Sequence, residues 1–279
     1  AGGFSLGSNR LVLHDESDAL TLLSVQGPLS QSLLSPLVAN GALDDLSNFS
    51  FSTYQPITIA GVDARCLRLT FVGELGFELH MPSRSASVVY AAIREAADAM
   101  QAATGRLIAD AGYRAIDSLS AEKNFRHWHA DLSNAETPLE AGIGFTVLPK
   151  LKRKDKPDFY GRTALEAQRS AGLRKRLVCL VLDDADAPPL HGAESLVRNG
   201  ERVGLVRSTA FGHTLLRTIV TGYADIPFGE SKPLEWLRRG VWGVSSRREG
   251  LLSATLHLKA PFDPTNARIN GEYNFDVCH

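Results

Sequence analysis

An α+β fold of sheet and helices, followed by a small antiparallel β-barrel, is the architecture this sequence predicts. In the first half, strand-like runs are interleaved with helix-period segments, which places helices against a sheet. From about residue 173 the helical period stops and strand-like segments follow one another at 176–182, 194–198, 202–208, 218–223 and 251–258, the pattern of a barrel or sandwich. Asn199-Gly200 between two of these segments is a hairpin signal, because both central turn positions need positive φ.

Taken in order, the run Ala19–Gln26 reads as a strand stopped by Gly27-Pro28. Leu29, Leu33, Leu34 and Leu37 then recur at near-helical spacing, with Ser30 in the first turn and an end near Gly41. Strands are expected at 54–60 and 64–71, joined by Gly61-Val62-Asp63, with Leu67, Leu69 and Phe71 on one face and Arg68 and Thr70 on the other. After Gly73-Glu74-Leu75-Gly76 comes a strand at 77–81. Its alternation puts Phe77, Leu79 and Met81 on one face and Glu78 and His80 on the opposite one. Val89, Ala92, Ile93, Ala96 and Met100 mark a helix capped by Ser83 or Ser85 and ended by Gly105.

The segment 110–147 separates the halves. Ile116 and Leu119 suggest a short helix after Gly112; Ile143, Phe145 and Val147 alternate like a half-buried strand. The basic run Lys150, Lys152, Arg153, Lys154 and Lys156 reads as a solvated linker, with attraction of an anionic tail as its functional alternative. Thr163-Ala-Leu-Glu166 matches a capping box for a helix stopped by Gly172. The boundaries expected are thus 1–148 for the α+β domain, 149–172 for linker and helix, and 173–279 for the barrel.

Composition narrows the function classes. With 44% hydrophobic and 22% charged residues the chain is of ordinary globular type, and a formal net charge of -1 argues against a general nucleic-acid binder. Cys66, Cys179 and Cys278 are odd in number and the first two sit in apolar runs, which suits reduced thiols. No apolar run reaches the roughly eighteen residues of a membrane span, so no membrane partner is expected. The start Ala1-Gly2-Gly3, without an initiator methionine, reads as an excised piece.

Two motifs concentrate candidate chemistry. One is RLTFVGELGFELHMP, residues 68–82, where Glu78 stands on the strand face opposite Phe77, Leu79 and Met81. The bland reading of Glu78 is a solvent-facing edge residue, and that of Phe71 is core packing. The other is the segment GYRAIDSLSAEK followed by RHWHADL and PLEAGIGF. Trp128 with one histidine suits a cavity lining, and Tyr113 and Arg114 stand at a helix start; a metal on His127 and His129 lacks supporting ligands, so none is assigned.

Together these motifs resemble the folate-binding region that aminomethyltransferases of the glycine cleavage system share with flavin-dependent sarcosine and dimethylglycine dehydrogenases. The likeness runs from about Leu20 to Pro264. It implies a ferredoxin-like sheet-plus-helices domain, lacking its N-terminal part here, and a C-terminal barrel. It also implies that Glu78 grips the pterin of tetrahydrofolate and that Phe71 stands where the family has tyrosine. The aminomethyltransferase arginine before the matched aspartate, Asp117, is replaced by Ile116, with Arg114 two residues earlier, which agrees with the sarcosine dehydrogenase pattern. Arg114 is therefore a folate-side candidate, with a surface salt bridge as its alternative; Tyr113, with packing as its alternative, and Trp128 are further candidates, and Glu122 matches a recurrent glutamate of that helix that otherwise anchors a cap or a surface ion pair.

The resemblance further implies a reaction. A flavin domain of the same parent chain, holding FAD, oxidises sarcosine, and tetrahydrofolate captures the one-carbon unit of the resulting iminium as 5,10-methylenetetrahydrofolate. The family's basic aspartate is expected before Ala1, and no GxGxxG after a strand occurs in these residues, so this polypeptide alone is expected to be inactive, with no catalytic residue of its own. The compartment implied is the mitochondrial matrix in a eukaryote and the cytoplasm otherwise. The competing classes are a non-catalytic regulatory subunit on the same fold, like that of pyruvate dehydrogenase phosphatase, and a free-standing aminomethyltransferase.

Overall fold

The structure, a computed structural model, describes residues 2–6, 9–153, 158–247 and 250–273. Lys154, Lys156 and Cys278 lie outside the described residues. The chain divides into two compact units, residues 1–111 with 265–279, and residues 112–264.

The first unit begins with the hairpin β1 (Gly2–Leu6) and β2 (Asn9–Leu13). Its main element is a four-stranded antiparallel sheet in the order β3-β6-β5-β4, built from β3 (Leu20–Gln26), β4 (Tyr54–Ile59), β5 (Val62–Leu67) and β6 (Gly76–Pro82). Phe77, Leu79, Met81, Cys66 and Ile59 form one buried face, as the period-2 pattern requires. Helix α1 (Ser30–Leu34) contributes Leu33 and Leu34 to this core, and α2 (Ala86–Thr104) contributes Val89, Ile93 and Ala97 at helical spacing. Gly105 ends α2 at φ +70°, a conformation that glycine adopts without Cβ strain.

Several local expectations are corrected. The second strand stops at Leu67 rather than Phe71, because Arg68 turns its guanidinium inward to the Phe49 carbonyl at 2.6 Å and pulls the chain out of the sheet. Leu67 pairs with Glu78 and so shares the face opposite Cys66. Ser85 supplies the N-cap position of α2 but no side-chain cap, and Ser30 donates instead to the Leu75 carbonyl at 3.1 Å.

The second unit contains α3 (Tyr113–Glu122), α4 (Leu148–Lys152), α5 (Arg162–Ala171), α6 (Pro233–Arg238) and a closed six-stranded barrel. Its strands are β7 (Lys175–Leu182), β8 (Ser195–Arg198), β9 (Glu201–Gly212), β10 (Arg217–Asp225), β11 (Trp242–Ser246) and β12 (Gly250–His257), in the closed order β10-β7-β12-β11-β8-β9. Leu180, Leu182, Leu196, Val220 and Val244 fill the barrel with Leu237 of α6. The expected turn at Asn199-Gly200 forms with φ +52° and +84°. Gly200→Val should therefore cost about 1–2 kcal/mol, seen as a lower denaturation midpoint with unchanged slope.

Where Ile143, Phe145 and Val147 suggested a strand, the chain makes a 3₁₀ turn, Gly144–Thr146, that leads into α4, and Phe145 is exposed. Gly142 at φ +79° breaks the extended path, and Pro149 starts the helix. Thr163 does not cap α5. The helix begins one residue earlier behind Gly161 at φ +92°, with no side-chain cap. Cys66 and Cys179 are buried free thiols whose pKa burial pushes up to about 12, which leaves them protonated and unreactive.

Candidate functional site

In the first unit, β6 offers two polar side chains on the face away from the core. Glu78 stands between Ser24 of β3 and Leu67 of β5, and His80 between Leu22 and Arg65. Glu78 is only 4% exposed, so it is not the solvent-facing edge residue of the bland reading. Its Oε2 lies 3.5 Å from His80 Nε2, and its Oε1 is buried with no hydrogen-bond partner. Most buried carboxylate oxygens are satisfied, since leaving one unpaired costs on the order of 1–3 kcal/mol or more. An orphan acceptor of this kind fits a ligand that brings its own N–H donors.

The loop before β6 is held in one shape by many small contacts. Thr70 Oγ1 accepts from the Val72 and Gly73 amides at 3.2 and 3.0 Å, and Gly73 supplies the φ of +75° that turns the chain. The Leu75 carbonyl accepts from the Gly27 amide at 2.8 Å as well as from Ser30. The segment 265–273 clamps the same loop: Arg268 donates to Glu74 Oε1 at 2.9 Å, Tyr273 Oη accepts from the Leu75 amide at 2.9 Å, and Arg68 reaches the Ile269 carbonyl. Burial pushes the Tyr273 phenol pKa well above its ordinary value, so it remains neutral. Phe71, on this loop, is 60% exposed rather than packed in the core. The clamp was invisible in the sequence because its halves are 194 to 201 residues apart. Arg268→Ala should leave the buried Glu74 carboxylate without its cation and cost about 1–3 kcal/mol, measurable by chemical denaturation.

The other candidates belong to the second unit. Tyr113 and Arg114 open α3 and are exposed, Tyr113 at 85%, and among the described residues Arg114 has no ion pair. Trp128 is 59% exposed and meets His129 edge-on, with ring centroids 5.4 Å apart. Residues 127–132 form a turn rather than a strand, with His129 at φ +71°, so His127 and His129 do not share a strand face. The structure thus groups Glu78 and Phe71 in one unit and Tyr113, Arg114 and Trp128 in the other.

Asp131 ties the 127–132 turn to the barrel, a role that no local pattern reveals. Its Oδ1 accepts from Ser208 of β9 and Thr221 of β10, both at 2.8 Å, its Oδ2 accepts from the His127 amide at 2.9 Å, and Tyr223 donates to its carbonyl at 3.1 Å. Asp131, Ser208, Thr221 and His127 border a cavity of about 170 Å³, also lined by Asp117; Tyr113, Arg114 and Trp128 are not among its lining residues. Arg126 donates to the Ala141 carbonyl and Arg176 to the Leu139 carbonyl, stapling the loop before the barrel. Burial, with Arg126 close by, lowers the Arg176 pKa to about 10.

Glu122 proves to be a scaffold residue. Its Oε1 accepts from the Thr214 and Leu215 amides at 2.7 and 2.9 Å and so holds the β9–β10 turn against α3. Lys123 beside it forms a buried pair with Asp263 at 2.9 Å.

A sheet-plus-helices unit and a closed six-stranded barrel joined in this order define an aminomethyltransferase-type chain, and comparison agrees. The chain belongs to the family of the GCVT N-terminal domain, matched over residues 5–151, and residues 175–263 match the glycine cleavage T-protein C-terminal barrel domain. It is 45% identical to mouse mitochondrial sarcosine dehydrogenase over 95% of its own length and 27% of that protein's. It is 31% identical to human mitochondrial dimethylglycine dehydrogenase, over 77% of this chain and 23% of that one. It is also 31% identical to an aminomethyltransferase of Symbiobacterium thermophilum, over 79% of this chain and 55% of the relative. The chain therefore spans about a quarter of the length of the dehydrogenases it matches.

Proposed function

We propose that these residues are the tetrahydrofolate-binding portion of a flavin-dependent sarcosine dehydrogenase. The observation that supports this most is the buried Oε1 of Glu78, an acceptor with no donor in the unliganded chain. A pterin edge carries adjacent N–H donors, and a carboxylate accepts two of them in a charge-assisted pair. Phe71 offers an exposed ring on the adjoining loop for stacking, and Tyr113, Arg114 and Trp128, exposed on the second unit, form an aromatic and cationic surface of that unit. The 1–148, 149–172 and 173–279 division is retained as the functional one.

Bound tetrahydrofolate supplies the nucleophilic nitrogen that takes up the one-carbon unit of a sarcosine-derived iminium, giving 5,10-methylenetetrahydrofolate and glycine. The chain's own work is to bind, orient and exclude water, which keeps the carbon from escaping as formaldehyde. FAD and the basic aspartate lie outside these residues, in the same parent chain, which works in the mitochondrial matrix of a eukaryote. The test is product partition by the intact protein turning over sarcosine with saturating tetrahydrofolate. Methylenetetrahydrofolate should replace formaldehyde; unchanged formaldehyde yield would refute the reading.

A further inference from the structure

The face of β6 that carries Glu78 carries one other side chain with an unmet hydrogen-bonding atom within reach of it. His80 is two residues on, its Nε2 lies 3.5 Å from Glu78 Oε2, and that nitrogen is itself buried without a hydrogen-bond partner. An unpartnered ring nitrogen and the second oxygen of the Glu78 carboxylate therefore face each other just beyond hydrogen-bond distance. Contacts of this sort are often long in an unliganded site and shorten when the ligand arrives.

The geometry points to His80 as a positioning residue for the folate carboxylate, a role that rests on the folate reading of Glu78. A carboxylate offers about four acceptor positions, so Oε2 can take the His80 Nε2–H and a pterin N–H together while Oε1 takes the second pterin donor. His80 then fixes the carboxylate plane parallel to the approaching ring edge, which is what bidentate recognition requires. Ser24 receives the Gln26 amide at 2.9 Å, Asp63 is engaged by Thr58 at 2.9 Å, and Arg65, in register with His80, is exposed. His80 is 30% exposed along its side chain, so the donor is held by the strand rather than locked in the core.

The test is tetrahydrofolate titration of the intact protein and three variants, with thermal melting of each. His80→Ala should raise Kd roughly ten-fold, the loss expected for one hydrogen bond to a charged group. His80→Gln, whose amide nitrogen extends about as far as Nε2, should recover most of that loss with no change in melting. Glu78→Gln serves as the reference. If Glu78→Gln weakens binding while His80→Ala does not, or if His80→Gln is as weak as His80→Ala, the positioning role is overturned and the folate reading survives. If Glu78→Gln binds like wild type, the folate reading itself has failed.

Discussion

Glu78→Gln should weaken tetrahydrofolate binding by about 100-fold or more while leaving the unliganded protein at least as stable as wild type. The two halves of this expectation have one cause. Glu78 is buried with one oxygen unpartnered and the other 3.5 Å from a histidine, so the unliganded fold gains little from its charge. An isosteric amide removes that uncompensated group, which commonly leaves stability unchanged or raises it. In the complex, by contrast, the amide presents an N–H where the pterin also presents one, losing two charge-assisted bonds at about 1.5–3 kcal/mol each. Calorimetric titration and melting of the two proteins check both halves. A variant that melts lower and binds equally well would make Glu78 a structural residue.

Asp131→Ala should be the most damaging single change in the second unit, lowering stability by about 3–5 kcal/mol. The substitution strips the hydroxyls of Ser208 and Thr221 and the amide of His127 of their acceptor at once, in a site where Asp131 is 4% exposed. It also frees the 126–132 turn from the two barrel strands, so Trp128 loses its fixed position. Asp131→Asn keeps one acceptor oxygen and should cost less than half as much. Chemical denaturation of both variants gives the comparison, and equal midpoints for Asn and Ala would mean that the hydroxyl contacts carry no weight.

Much of this fold was legible because its strands and long helix follow simple periods. Helix α2 repeats Val89, Ile93 and Ala97 on one side, and Asn199-Gly200 is a turn that few other conformations satisfy. Strand β11 escaped detection because Trp242-Gly-Val-Ser-Ser246 alternates over only two apolar residues, Trp242 and Val244, too short a run to distinguish it from a loop. The alternation at 68–71 and at 143–147 misled for the opposite reason. It was present, but Arg68 was drawn to a buried carbonyl and Gly142 turned the chain, so backbone demands overrode the pattern.

The site was legible to a different degree. Alternation on β6 alone put Glu78 away from the core, and the structure agrees. It did not reveal that the residue is buried, nor that 265–273 clamps its loop, nor that Asp131 ties a distant turn to the barrel. Each of these depends on contacts between residues far apart in sequence, which local reading has no means to see.

The most direct test of the account is a structure of the intact protein with tetrahydrofolate bound. The account predicts the pterin edge against β6, with ring N–H donors at about 2.7–2.9 Å from the Glu78 carboxylate. A pterin bound elsewhere, with Glu78 Oε1 still unpartnered beside His80, would contradict it.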